Sequence, residues 1–288
     1  MIAPHRESDT TMYRSIFISD FHLGTKTCRA HDLLDFLRHH DAQFIYLVGD
    51  IIDGWQLKKS WHWSQEHNDV IQKLLRKARK GAMVTYLPGN HDAFARAYID
   101  HHFGGIALAE TALHLTADGR SLLILHGDTF DTMVTQSKWL ASLGSSAYEF
   151  AIRLNFIFNR IRRLLKMPYW SLSAWLKHKV KNAFTYIDTF EKTLADEARR
   201  HGADGVVCGH IHRASIRECD GVTYYNTGDW VESCTALVEH HDGRLELVTW
   251  FAREEDRIER TTPATLPSRT ISMKEPLITR MPPMEKTA

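Results

Sequence analysis

Short apolar runs in this chain keep ending on a residue that can hold a metal ion, and this recurrence restricts the fold more than any other feature. Residues 15–19 close on Asp20, 44–48 on Gly49-Asp50, 83–87 on Pro88-Gly89-Asn90, 121–125 on His126, and 205–208 on Gly209-His210. Between the early runs lie segments with apolar residues at helical spacing. Leu33, Leu34 and Leu37 mark a helix over about 29–40, and Val70, Ile71, Leu74, Leu75 and Ala78 mark another over about 66–80. Strand, polar tip and helix in repetition predict an α/β fold with a largely parallel sheet covered by helices. Ligands of open α/β sheets gather at strand ends, so the polar tips are expected to meet along one edge.

The rest of the chain follows from composition shifts. Residues 112–116 and 121–125 flank Asp118-Gly119 and read as a hairpin. Helical patterning fills 138–200, and short strands fill about 214–250 with turns at Asp220-Gly221 and Asp242-Gly243. After about Glu259 the chain is rich in Thr, Pro and Arg and loses periodicity. The expected division is a flexible N-terminus (1–13), a core (14–132 with 201–256), a helical cap insertion packed on it (133–200) and a disordered tail (257–288).

Four cysteines without a CxxC pair suit reduced thiols. The N-terminal residues lack the apolar stretch of a signal peptide. No apolar run nears the roughly 20 residues of a membrane span. The expectation is a cytoplasmic protein. Its 18 histidines include the pairs His39-His40, His101-His102 and His240-His241, which read as surface residues without a role.

Each tip carries a specific chemistry. Asp20-Phe-His22 places a carboxylate and an imidazole at i and i+2, on one side of an extended segment, so both can reach one ion. Asp50 can bridge two cations with one oxygen to each, and Gly49 lets another group approach the backbone. Asn90 offers a neutral, hard oxygen. His91 would point toward substrate, with Asp92 accepting its ring N–H and fixing the tautomer. His126-Gly-Asp128 and His210-Ile-His212 complete the set, the latter repeating the i, i+2 spacing with two imidazoles. Taken singly these are ordinary turn sequences.

Their order, DxH, GD, GNHD, H and GHxH, resembles that of the calcineurin-like metallophosphoesterase superfamily, from about Ile16 to Trp230. The resemblance implies an α/β/β/α sandwich of two mixed sheets with a helical cap insertion. It implies one metal on Asp20, His22 and His212, a second on Asn90, His126 and His210, and Asp50 between them. The mixed nitrogen and oxygen donors suit Mn²⁺, Fe or Zn²⁺, and the family favours manganese. Two such ions clamp phosphate oxygens and activate water. His91, off the metals, and Asp92 beside it are the catalytic candidates, His91 stabilising phosphoryl charge or protonating the leaving oxygen.

Residues 151–181 carry Arg153, Arg160, Arg162, Arg163, Lys166, Lys177, Lys179 and Lys181 with no Asp or Glu, interleaved with aromatic and aliphatic residues. This suits an ordinary amphipathic cap, and equally a segment lying on a membrane surface; nucleic acid is the weaker reading. A helical insertion at this place is similar to the lid of the UDP-2,3-diacylglucosamine diphosphatases, peripheral enzymes of lipid A biosynthesis at the inner membrane. They split a diacylated UDP-sugar into lipid monophosphate and UMP. On that resemblance Lys177, Lys179, Lys181, Arg162, Arg163 and Trp170 are candidate substrate-binding residues. Two departures stand against it. That family has Arg where this chain has His91, and its acidic pair after the HGD motif is not reproduced, Asp131 being the nearest acid. The alternatives are a phosphodiesterase or phosphatase of soluble nucleotides or another phospholipid-type substrate and, remotely, a non-catalytic scaffold. The sequence leaves the oligomeric state open.

Overall fold

In the computed structural model, which describes residues 10–131 and 172–251 (side chains of the second stretch from 186), alternate residues of each apolar run part to opposite faces. This is the two-residue period of a strand, and it builds two sheets. The first has seven strands in the order β12-β11-β1-β2-β3-β5-β4. These are β1 (Thr11–Ile18), β2 (His40–Val48), β3 (Met83–Leu87), β4 (His102–Phe103), β5 (Ile106–Leu108), β11 (Thr235–Glu239) and β12 (Leu245–Thr249). The second has five in the order β6-β7-β8-β10-β9, from β6 (Ala112–Leu115), β7 (Ser121–Ile124), β8 (Gly205–Cys208), β9 (Ser215–Cys219) and β10 (Val222–Asn226).

The parallel sheet expected from the sequence is present only in part. β1, β2, β3 and β5 run parallel, as do β7, β8 and β10. Hairpins add antiparallel strands at the margins, β4, β6, β9 and the β11–β12 pair. Both sheets are therefore mixed, because short turns such as Asp220-Gly221 can join only antiparallel neighbours.

Side-chain alternation assigns the layers. Ile16, Ile18, Ile45 and Leu47 face helices α1 (Ala30–His39) and α3 (Gln65–Arg79), where Leu33, Phe36, Leu37, Val70 and Leu74 are buried. Phe17, Tyr46, Val48 and Leu87 face the other way and meet Leu122, Ile124, Val207 and Tyr225 of the second sheet. Leu123, Val206 and Tyr224 lie beyond, under Phe190, Leu194 and Ala198 of the long helix Leu172–Arg200. The result is an α/β/β/α sandwich. A short helix α2 (Gly54–Lys59) precedes α3, so the long helix is α4.

One polar cluster sits at the margin between the sheets. Glu239, fully buried, accepts from Arg14 at 2.7 Å, from His114 at 2.7 Å, from the Ala117 backbone at 2.8 Å and from Ser15. Burial alone would raise its pKa, but His114, Ser15 and the Ala117 N–H hold it down to about 2. His40, read from sequence as a surface residue, is only 4% exposed. Its ring stacks on Phe36 and Tyr13 and meets Trp250 edge-on, and Nδ1 donates to the Phe36 carbonyl at 2.9 Å. It opens β2 straight from α1, where a chain reversal needs no exposed loop.

Candidate metal centre

The loops leaving β1, β2, β3, β7 and β8 converge at one end of the sandwich, and their polar tips meet. Three donor groups form there, Asp20 with His22 and His212, His22 with Asp50 and His91, and Asp50 with His126 and His210, each with donor atoms within 4.8 Å of one another. Sharing of His22 and Asp50 makes the groups a single centre. Asn90 lies between two of its members in sequence, and its Oδ1 is buried without a hydrogen bond.

The backbone at these tips is not extended, contrary to the i, i+2 expectation. Asp20, His22, Asp50, His210 and His212 have φ of 53°, 51°, 53°, 69° and 51°. Left-handed backbone is uncommon for residues with a side chain, and such strain concentrates at functional sites. It serves here to turn each side chain back over the sheet ends. Glycine makes room for them. A side chain at Gly49 would overlap the His126 ring, and one at Gly89 would overlap both Asp50 and His126.

Hydrogen bonds on the far side of each donor leave one atom facing inward. His126 Nδ1 lies 2.8 Å from the Val48 carbonyl, which can only accept, so the proton is on Nδ1 and the Nε2 lone pair points to Asp50 Oδ2 at 3.4 Å. Asp20 Oδ2 accepts from Ser19 and from the His210 backbone N–H at 3.1 Å, leaving Oδ1 inward. His210 Nε2 is 2.8 Å from Asp131 Oδ2, which leaves Nδ1 for the centre. Tyr186 of α4 donates to the same Asp131 oxygen at 2.6 Å.

Asp50 departs from the expectation of one oxygen per cation. Oδ1 accepts the His91 backbone N–H at 2.8 Å. Oδ2 alone faces both halves, 3.9 Å from His22 Nε2 and 3.4 Å from His126 Nε2. The same backbone hydrogen bond ties the strand-end loops of β2 and β3 together.

Asp92 also differs from expectation. It is fully buried and accepts from the backbone N–H groups of Gly89 at 2.6 Å and Ile51 at 2.7 Å, and from the Tyr86 hydroxyl. These donors turn its carboxylate away from the His91 ring, so it shapes the loop. Asp53 takes the place assigned to it. Asp53 Oδ2 lies 3.2 Å from His22 Nδ1 and 3.0 Å from His91 Nδ1, the latter contact falling short of hydrogen-bond alignment. Its Oδ1 caps α2 by accepting the Gln56 N–H at 2.7 Å. Trp55, the second residue of that helix, lies against the His91 ring with centroids 4.2 Å apart. Asp229 accepts from Val231 and Glu232 N–H groups and is a turn residue.

Cations fit this set. Asp20 Oδ1, Asn90 Oδ1 and His126 Nε2 are buried without an aligned hydrogen bond, although His212 Nε2 stands 3.2 Å from the first. Buried polar atoms left so are costly, and all are donor types that divalent ions accept. The acids also draw protons onto the imidazoles. Burial opposes charge on His126, yet Asp50 pushes its pKa up to about 10. His212, more exposed at the rim of the centre, is likewise driven up to about 9 by Asp20, against the effect of partial desolvation. Asp50, despite its burial, is held well below the carboxylate range by His126 and His22. A site that attracts protons so strongly attracts metal ions as well. Donor groups linked through His22 and the Asp50 carboxylate make a dinuclear divalent-metal centre.

Of the remaining candidates, Arg162, Arg163 and Trp170 lie outside the described residues. Lys177, Lys179 and Lys181 fall on the backbone of α4, ahead of its first described side chain. Asp53 and Asp131 are the residues at the centre that sequence pattern alone does not single out. Asp53 follows Asp50 by a helical-cap spacing that hides its second contact. Asp131 is bound to His210 and Tyr186 across long stretches of chain that no local pattern reveals.

A family model described as calcineurin-like phosphoesterase matches residues 13–214. A UDP-2,3-diacylglucosamine hydrolase from Neisseria gonorrhoeae is 28% identical over 235 residues, covering 76% of this chain and 90% of the relative. One from Vibrio atlanticus is 24% identical over 234 residues, covering 78% and 93%. Among solved structures, vacuolar protein sorting 29 from Cryptosporidium parvum aligns with 83% of this chain and 97% of its own, at 12% identity and a TM-score of 0.39.

Proposed function

Because this chain belongs to the calcineurin-like phosphoesterase family and is a metal-dependent hydrolase of phosphoester or pyrophosphate bonds, we propose that its substrate is a lipid-linked UDP-sugar of the UDP-2,3-diacylglucosamine type. The products would be the lipid monophosphate and UMP. The observation that carries the hydrolase reading is the single centre formed by the Asp20, Asp50 and His126 groups. The substrate reading is supported by the relatives, which share one name across Neisseria, Vibrio and Haemophilus.

In this reading Asp20, His22 and His212 hold one divalent ion, Asn90, His126 and His210 the other, and Asp50 both, with manganese the preferred metal. Bound divalent ions supply positive charge for the phosphate oxygens and a water of lowered pKa. The chain's own residues do the rest. His91 stands at the mouth of the centre, its side chain 25% exposed and Nε2 4.0 Å from Asp50 Oδ2. The carboxylates of Asp53 and Asp50 raise its pKa against the effect of burial, so it can carry a proton to a departing oxygen or a positive charge to the phosphoryl group. Asp53 and Trp55 hold its ring in place.

The basic and aromatic segment 151–181 would meet the lipid or the inner-membrane surface, with Lys177, Lys179, Lys181, Arg162, Arg163 and Trp170 contacting substrate. No helix among the described residues is long and apolar enough to cross a membrane. A soluble nucleotide is the second reading, since the centre itself discriminates nothing beyond the phosphate. A manganese-supplemented assay comparing UDP-2,3-diacylglucosamine with soluble nucleotides, with and without detergent, separates the two. Release of UMP from the diacylated sugar supports the proposal, and cleavage of soluble nucleotides alone defeats it.

A further inference from the structure

A second feature borders the metal centre and has no part in the chemistry above. Between α3, the strands β3 and β5 and the short 3₁₀ turn Ala93–Tyr98 lies a cavity of about 570 Å³. Its floor includes Leu47, Ile51 and Leu74, each 2% exposed or less. Its mouth is ringed by Phe94, Tyr98 and Phe103, which are 51%, 59% and 65% exposed. Single exposed aromatics are unremarkable, but several gathered around one opening mark a binding surface. The volume falls within the range of about 300–1,000 Å³ typical of small-molecule sites.

The lining decides what chemistry fits. Among the described lining residues there is no Asp, Glu, Lys or Arg. The Tyr86 hydroxyl is already donated to Asp92, and the other ionisable lining residues, Tyr98, His101 and His102, are exposed. A nucleobase or sugar buried there would leave its polar edges unpaired, at considerable cost. A hydrocarbon chain would not. The cavity also adjoins the centre. Ile51 and Ile52 follow Asp50 directly, and a side chain at Gly54, whose N–H donates to the His91 carbonyl at 3.0 Å, would press on the Phe94 ring.

We propose that this cavity binds a linear hydrocarbon chain, with the polar head of the ligand left at the aromatic mouth. The chain is either that of the substrate or that of a free fatty acid. Assigning it to the substrate rests on the phosphoester reading, whereas the binding of a chain does not.

Calorimetric titration of the full-length protein with octanoate, decanoate and dodecanoate is the test. Binding should tighten by up to about fourfold for each added methylene, following the gain per buried CH₂. Leu108→Trp or Ile71→Trp, each filling the cavity from its wall, should weaken dodecanoate at least tenfold in whichever variant keeps the wild-type circular dichroism. No binding, a flat chain-length series, or dodecanoate binding undiminished in a folded variant would overturn the proposal. If neither variant folds, the chain-length series decides alone. The source is read from turnover of a dodecyl and a methyl p-nitrophenyl phosphodiester with manganese. Competition by dodecanoate against the dodecyl ester assigns the chain to the substrate, and dodecanoate binding without competition assigns it to a free fatty acid. Hydrolysis of neither ester would count against the phosphoester reading, while the calorimetry would still decide the cavity.

Discussion

At His126 a single carbonyl determines which nitrogen is available, and the same device recurs around the centre. The Val48 carbonyl accepts a hydrogen bond from His126 Nδ1, Asp131 faces His210 Nε2, and Asp53 faces the Nδ1 atoms of both His22 and His91. Removing such an outer partner typically lowers metal affinity about 10–100-fold. Asp131→Asn should do so in a metal-binding titration, and an unchanged affinity would show that Asp131 does not orient His210. His91 behaves differently because it lies off the proposed ligand set. His91→Ala should lower kcat on a generic phosphodiester by about a hundredfold or more with metal content kept, and undiminished turnover would remove its role. The donors themselves were legible in the sequence, since each ends an apolar run. Their left-handed backbone was not, nor was the exchange of roles between Asp92 and Asp53. Both depend on contacts between loops of different strands, such as the Ile51 N–H reaching Asp92, which no local spacing encodes.

Elements were more legible than residues. β3 and β8 match the apolar runs 83–87 and 205–208 residue for residue, and α1 and α3 lie within one residue of the helices read from their periodicity. These segments bury one face over most of their length, so the pattern of burial is written into them. The structure also shows what the pattern could not. α2 buries none of its residues, so no apolar periodicity marks it, and its formation depends on the Asp53 cap. The burial of His40 follows from α1 running directly into β2. Packing of α1 on the first sheet is tested by Leu37→Ala, since Leu37 is fully buried. A loss of about 2–5 kcal/mol in urea denaturation is expected. A loss under about 1 kcal/mol would mean the helix packs less tightly than described.

On the scale of the molecule, a buried charge cluster and a shared metal centre join the two sheets. Glu239 of β11 accepts from His114 of β6 and from Arg14 and Ser15 of β1. Its folded pKa of about 2 lies below the ordinary value of 4.5. A depressed acid stabilises the fold above its unfolded pKa and loses that contribution as pH falls toward the folded value. Thermal stability of the wild type should therefore fall between about pH 4.5 and pH 2, and Glu239→Gln should flatten that part of the profile. An identical profile in the variant would show that the cluster is not responsible. The metal centre joins the sheets in the same sense, with Asp20, Asp50 and Asn90 from loops of the first and His126 and His210 from loops of the second. One carboxylate oxygen, Asp50 Oδ2, faces both halves of the centre. Elemental analysis of protein reconstituted with manganese and freed of excess metal tests this most directly. Two ions per chain are expected in the wild type, with occupancy of both sites reduced in Asp50→Asn; a single ion, or none, in the wild type would rule out a shared two-ion centre.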